Sequence, residues 1–252
     1  MAVSVFKPPY LQQLRLDRQR IDDPKAYPFT LPFLQCDFEL AFTRPLTVIV
    51  GANMSGKSSL LEAIAALCGF GTMGGRRDYA LHKPENKLAD ALRAVWKPKI
   101  TNGYFVRAES FHAFAEQIDE IRRGPAGAAI YDYYDGKSLH EQSHGQAYLS
   151  MFRNNLRGRG LYILDEPEAS LSPTRQMEFL QLIHRQVQQG EGQFIIATHS
   201  PLIMAYPGAT LLEIDGAVLR ERSFRAIEHF HVLQRFYQNP DAFMTELLEL
   251  DK

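Results

Sequence analysis

LTVIVGANMSGKSSLLEAIAALCGF, residues 46 to 70, decides the architecture. Leu46 to Val50 is a continuous β-branched run, as expected of a strand buried on both faces. Gly51 follows at once, and a helical pattern begins a few residues later. Within this strand, loop and helix, Gly51 to Ser58 reads GANMSGKS and satisfies GxxxxGK[ST] in full. The loop residues Gly51, Ala52, Asn53, Met54, Ser55 and Gly56 turn their backbone N–H groups, with the helix N-terminus, into an anion site for nucleotide phosphates. Gly51 and Gly56 let the chain turn tightly and approach phosphate oxygens. Lys57 is expected on the β- and γ-phosphates, the Ser58 hydroxyl on Mg²⁺, and Ser59 near the α-phosphate.

Two further apolar strands end in chemistry. LYILDEPEAS, Leu161 to Ser170, closes on two carboxylates. Asp165 is expected to hold Mg²⁺ through an intervening water. Glu166 lies where the strand meets the loop, placed to polarise a water in line with the γ-phosphate, an effect typically worth about 10²–10⁴ in rate. QFIIATHSP, Gln193 to Pro201, ends in His199, 34 residues past Asp165. A histidine at the C-terminal tip of such a sheet points into the ligand crevice. It can donate to the γ-phosphate or to the attacking water.

The rest of the chain supplies the frame. PFTLPF (residues 28 to 33), FELAF and LTVIV read as short strands and turns. ENKLADALRAVW reads as a helix or a helix-capped strand pair, GYFVRA as a strand, and SFHAFAEQIDEIRR as a helix capped by Ser110. GQAYLSMFRNNL is helical. SPTRQMEFLQLIHRQVQQG is a long amphipathic helix with Ser172 as cap, Pro173 at its first position and Gly190 as stop. TLLEIDG and AVLRER form a hairpin around Asp215-Gly216, and two short helices finish the chain. Buried strands alternating with helices predict an α/β fold with a largely parallel central sheet plus antiparallel strands. No linker interrupts the 252 residues, so residues 1–252 are expected to form one domain, with a helical subregion at about 85–157.

Composition narrows the class. Apolar residues make up 45% and charged residues 23%, ordinary for a soluble domain. The formal net charge of -1 provides no global basic field to draw the chain onto nucleic acid, although a local patch is left open. No run of about 18 apolar residues appears, and the N-terminus lacks a secretory stretch, so a cytoplasmic location is expected. Cys36 and Cys68 stand outside any CxxC and are expected as small buried apolar residues. The charged loop Arg76-Arg77 with Tyr79, the acidic aromatic run YDYYDG, and Arg153, Arg157 and Arg159 read as solvated surface.

These motifs, in this order, resemble the ATP-binding-cassette ATPase superfamily. Ser143-His144-Gly145-Gln146 is similar to its SGGQ signature at the start of a helix. Across nearly the whole length the chain is similar to a group of stand-alone bacterial AAA-type ATP-binding proteins, whose heads are like those of SMC, DNA-repair and phage-defence ATPases. The resemblance implies a P-loop NTPase fold of the cassette head type, with ATP and Mg²⁺ as ligands. It further implies an ATP-dependent homodimer in which Ser143, Gly145 and Gln146 of one copy contact the γ-phosphate held by the other. It implies an ATP-hydrolysing engine or switch serving a partner protein or a nucleic-acid process such as repair or phage defence. The alternative is the ATPase subunit of a membrane transporter. His144 departs from the signature, and Ser170-Leu171-Ser172 lacks the aspartate usual after the acidic strand. No glutamine ends a strand between the phosphate loop and the signature. Strand GYFVRA instead leads to Glu109, which is expected to take the glutamine's place near Mg²⁺. No heptad stretch separates Ser58 from Ser143, so the chain carries no coiled-coil arm.

Overall fold

The computed structural model describes residues 6–71, 85–110, 144–156 and 158–249. Nine strands and seven α-helices occur among them. The strands are β1 (Leu11–Leu16), β2 (Glu39–Ala41), β3 (Leu46–Gly51), β4 (Leu92–Trp96), β5 (Gly103–Arg107), β6 (Gly160–Asp165), β7 (Gly192–Ala197), β8 (Thr210–Asp215) and β9 (Val218–Glu221). The helices are α1 (Lys57–Cys68), α2 (Lys87–Ala91), α3 (His144–Asn155), α4 (Pro173–Gln189), α5 (Pro201–Met204), α6 (Glu228–Gln238) and α7 (Pro240–Glu249).

The main sheet runs β5-β6-β7-β3-β8-β9. Its first five strands are parallel, and β9 returns antiparallel to β8 through the Asp215–Gly216 turn. Because both faces are covered, the side-chain period of two splits each strand between two cores. Tyr162 and Leu164 of β6, Phe194 and Ile196 of β7, and Val48 of β3 meet Tyr148 and Phe152 of α3 and Phe179 and Ile183 of α4. Ring pairs tie this layer together: Phe152 lies 4.9 Å from Tyr148 and 4.7 Å from Phe179, centroid to centroid. On the opposite face, Leu161, Ile163, Ile195 and Ile49 meet Leu60, Leu61 and Ile64 of α1. This second core also takes Leu11, Leu14, Leu40 and Leu92 from a separate antiparallel sheet, β2-β1-β4.

One buried side chain joins the two sheets. Gln193 of β7 is fully buried. Its Oε1 accepts the backbone N–H groups of Tyr10 and Leu11 at 2.7 and 2.9 Å, and its Nε2 donates to the Leu11 carbonyl at 2.9 Å. A buried amide is tolerable here because its donor and acceptor are both used.

Some local expectations need correction. PFTLPF forms no strand. Its prolines cannot feed a ladder, so residues 28 to 31 turn and Pro32–Leu34 forms a 3₁₀ turn, while Phe29, Leu31, Phe33 and Leu34 enter the core beside α1. Cys68 is buried, which pushes its thiol up to about 12, but Cys36 is exposed, just past that turn. Ser172 occupies the N-cap position of α4 with extended backbone, yet its side chain makes no cap hydrogen bond. Arg153 is paired with Glu178 of α4 at 3.1 Å. Ser110 begins a segment that, from residue 111 to 143, lies outside the described residues, as do Arg76, Arg77, Tyr79, the YDYYDG run and Arg157.

Gln193→Leu is expected to lower stability by about 3 kcal/mol or more, since it withdraws the partner from three buried backbone groups at roughly 1–3 kcal/mol each. Urea unfolding checks this: the midpoint should fall with the slope unchanged.

Candidate functional site

β3 delivers the loop of residues 51–56 to the C-terminal edge of the sheet. Gly56 has φ 95°, and a Cβ on it would stand 2.8 Å from Leu31 Cδ1 and Phe33 Cε1. Glycine is therefore required there for its backbone and for its size. Met54 also adopts a left-handed φ of 63°, with its side chain 98% exposed, so it offers the loop only its backbone.

Lys57 opens α1 and is 4% exposed. Its Nζ donates to the carbonyls of Gly51 and Ala52, each at 2.9 Å, which holds the ammonium over the loop. Burial lowers its pKa, against the opposing pull of Glu166, Asp165 and Glu168. A cleft of about 470 Å³ lies in front of it, lined by Asn53 to Ser59, Tyr27, Glu109 and Glu166.

The parallel ladder brings the other strand tips level with the loop. Asp165 pairs in register with Arg107 of β5 on one side and Ala197 of β7 on the other. It is 2% exposed. Its Oδ2 accepts from Arg107 Nε at 3.1 Å, while its buried Oδ1 has no hydrogen-bond partner among the described residues. Arg107 also pairs with Glu62 of α1.

Glu166 leaves the strand in the left-handed conformation, φ 51° and ψ 51°, with its N–H bonded to the Ala197 carbonyl at 2.9 Å. This conformation breaks the strand's alternation and turns the carboxylate into the cleft. His199, two residues past the end of β7, sets its Nε2 3.6 Å from Glu166 Oε1, beyond hydrogen-bond length. Burial lowers the His199 pKa, and the Lys57 charge lowers it further, so the ring is neutral at pH 7.

The loop, Lys57, Ser58, Ser59, Glu166 and Glu109 thus share one cleft, with Asp165 buried behind it and His199 beside Glu166. Glu109 is exposed on the 3₁₀ turn Ala108–Ser110 that follows β5. Gly145 and Gln146 do not line the cleft. Gly145 starts α3 against the next segment, where a Cβ on it would lie 2.9 Å from Arg175 Cδ and 3.3 Å from the Ser170 carbonyl. Ser143 lies outside the described residues.

Three residues escape a reading of strand tips alone. Arg107 braces Asp165, and a lone arginine closing an apolar run was its only signal. Tyr27 presents a ring, 63% exposed, to the cleft and hydrogen-bonds through its hydroxyl to Ser59. Nothing local in PFTLPF or its flank marks it. Glu168, two residues past Glu166, accepts from the backbone of His199 and Ser200.

Comparison with known proteins follows this geometry. A family model described as "AAA domain, putative AbiEii toxin, Type IV TA system" matches residues 146–205, and one described as "AAA domain" matches residues 30–108. The chain is similar to the DNA replication and repair protein RecF of Synechococcus sp. (strain JA-2-3B'a(2-13)), 24% identical over 166 residues. That match takes in 57% of this chain and 44% of the relative, so the chain spans less than half the length of the curated protein it matches. Among solved structures it is similar to cbiO1 from Clostridium perfringens, described as part of the ABC transporter complex cbiONQ. The identity is 17%, the TM-score 0.53, and the match covers 95% of this chain and 99% of that one. It is also similar to an SmcHead bound to the C-winged helix domain of ScpA, at 14% identity and TM-score 0.50, covering 85% and 98%.

In a proton NMR titration of the nucleotide-free protein, the His199 midpoint is expected below the ordinary 6.5. Lys57→Ala should move it up, because a positive neighbour is lost. Glu166→Gln should move it down, because a negative one is lost. A midpoint that ignores both changes would contradict the electrostatic coupling of the three groups.

Proposed function

We propose that the chain is an ATPase head of the ATP-binding-cassette type, which binds ATP with Mg²⁺ between two copies of itself and hydrolyses it; two AAA-domain models, a RecF relative and the fold of cassette and SMC heads support this reading. In this reading it is a dimerising engine or switch for a partner protein or a nucleic-acid process. The observation that carries the reading is that Lys57 and Glu166 share one cleft, with the orphaned Asp165 Oδ1 buried behind it and His199 beside Glu166.

The residues fit the ion. Asp165 Oδ1 is a buried oxygen in want of a partner, and Ser58 Oγ and the Glu109 carboxylate are hard oxygen donors of the kind Mg²⁺ takes. Among the described residues no group of three or more His, Cys, Asp and Glu forms a ready-made cage. Magnesium is ordinarily held by one or two carboxylates together with substrate phosphates, so this sparse set suits it. Ser58, Asp165 and Glu109 would hold the ion, which when bound supplies charge neutralisation at the β- and γ-oxygens.

The chain's own residues do the remainder. The loop N–H groups and Lys57 take the phosphates, and the Tyr27 ring offers the base a flat wall. Lys57 then exchanges its two carbonyl contacts for phosphate oxygens. Glu166 accepts a hydrogen bond from the attacking water and draws its proton. His199, whose Nε2 stands 3.6 Å from Glu166 Oε1, donates from its ring to the transferring group.

The place of the signature residues supports a second copy. Gly145 and Gln146 begin α3 away from the cleft of their own chain, so the signature covers no nucleotide in cis. A two-fold arrangement lets each copy's Ser143, Gly145 and Gln146 close the other's site, and the symmetry makes the assembly closed. ATP bound by both copies shifts the equilibrium toward the dimer, and loss of the γ-phosphate releases it. No helix among the described residues is long and apolar enough to cross a membrane.

Glu166→Gln is expected to keep ATP affinity, slow single-turnover hydrolysis by about 10² or more, and sediment as a dimer with ATP and Mg²⁺ but as a lighter species without them. A monomer at saturating ATP with undiminished turnover would refute the two-copy site. Lys57→Ala should lose ATP binding itself.

A further inference from the structure

His199 owes its place to its backbone. Its ring Nε2 makes no hydrogen bond among the described residues, and its ring neighbour, His229, lies 5.8 Å away between centroids at a tilt of 42°. What is fixed is the turn that carries it. Glu168 Oε1 accepts the His199 N–H at 2.5 Å and the Ser200 N–H at 3.1 Å. A carboxylate taking two backbone donors makes charge-assisted bonds, stronger than neutral ones.

Glu168 sits on the same 3₁₀ turn, Pro167–Ser170, that Glu166 introduces. That turn is pinned at several points. The Glu166 N–H bonds the Ala197 carbonyl at 2.9 Å, the Ala169 N–H bonds the Glu166 carbonyl at 3.1 Å, and the Leu171 N–H bonds the Glu168 carbonyl at 2.8 Å. The tips of β6 and β7, joined in register at Asp165 and Ala197, are thus bridged a second time two residues further on. Together the ladder, the Glu166 N–H and the Glu168 carboxylate form a closed frame. The Glu166–His199 distance is one of its dimensions.

We infer that Glu168 is the positioning residue of His199, the group that sets where the imidazole stands relative to Glu166 and the phosphate being transferred. This assignment rests on the ATPase reading above. It differs from a plain helix cap in one respect. Ser200 already caps α5 through its own side chain, which accepts from the Ile203 N–H at 3.4 Å, and it bonds Gln176 of α4 at 2.6 Å. The short helix therefore keeps its start without Glu168, whereas the His199 N–H has no other partner among the described residues. Misplacing a catalytic group by about 1 Å can cost on the order of 10²-fold in rate.

A double-mutant cycle on the full chain tests it, with ATP affinity and thermal midpoint measured beside turnover. Glu168→Ala should lower kcat about tenfold or more while ATP affinity stays within about twofold. In the His199→Ala background the same change should cost nothing more, because the group it positions is gone. Glu168→Gln, whose amide oxygen can accept both N–H bonds, should recover most of the turnover. If Glu168→Ala fails to fold, Glu168→Asp takes its place, since it keeps the charge but falls one methylene short. Wild-type turnover in the alanine or aspartate variant overturns the assignment. So does a loss that multiplies with that of His199→Ala, which would mean that Glu168 acts elsewhere. Full turnover in His199→Ala alone removes the role of His199, and this assignment with it, while leaving Lys57 and Glu166 as the tests of the ATPase reading. Loss of ATP binding in both Glu168→Ala and His199→Ala would likewise overturn it, as damage to the cleft as a whole.

Discussion

A parallel sheet covered on both faces can carry polar chemistry only at its strand tips, and everything at this site follows from that constraint. Leu46 to Val50, Leu161 to Leu164 and Phe194 to Ala197 are buried on both sides. The first residues free of the two cores are Gly51, Asp165 and the turn at His199. The ladders hold Ile49, Ala197 and Asp165 level across β3, β7 and β6, so three segments far apart in sequence end at one edge. The site needs no loop of special length to assemble it.

Its electrostatics follow the same logic. Lys57 is buried near three carboxylates, and that burial works against its charge. Two loop carbonyls hold it meanwhile, and they are weaker partners than a polyphosphate would be. Arg107 plays the reverse part at Asp165. By taking Oδ2 and pairing at once with Glu62, it orients the carboxylate and leaves Oδ1 unsatisfied in a dry place. A buried acceptor left in that condition is costly, and an incoming cation or water relieves it. Both groups thus suit the proposed ligand, which carries anionic phosphates and a hard cation together.

How much of this was legible in the sequence depends on the kind of information each part needs. The phosphate loop was legible because its demands fall on consecutive residues: a strand, glycines at two positions, a lysine and a serine. Asp165, Glu166 and His199 were legible because each ends an apolar run, and strand ends converge. Glu109, read from the end of GYFVRA, does line the cleft. Arg107, Tyr27 and Glu168 were not legible. Arg107 matters through β6, its neighbour in the sheet, and neighbour order is not written in any local window. Tyr27 directly precedes PFTLPF, a run whose alternating apolar residues suit a strand but whose prolines enforce turns. Glu168 acts on a backbone 31 residues away, a relation that no residue pattern announces.

The same geometry bears on how the proposed dimer would speak to its chemistry. Gly145, at the start of α3, abuts Ser170 and Arg175, the end of the turn that holds Glu166 and Glu168 and the start of α4. A larger residue there would have to displace the Arg175 side chain and would crowd the Ser170 carbonyl, so the approach is close. On the proposed reading, a partner's phosphate would seat against the signature of this chain while this chain's own Glu166 faces its own nucleotide. Only one short 3₁₀ turn separates the two events. It is pinned to β7 through the Glu166 N–H and to His199 through Glu168, so on that reading a shift of the signature helix would act on the turn next to Glu166 and His199. On that proposed reading, packing and backbone bonds would join the two sites across Ser170-Leu171-Ser172, where the aspartate usual after the acidic strand is missing.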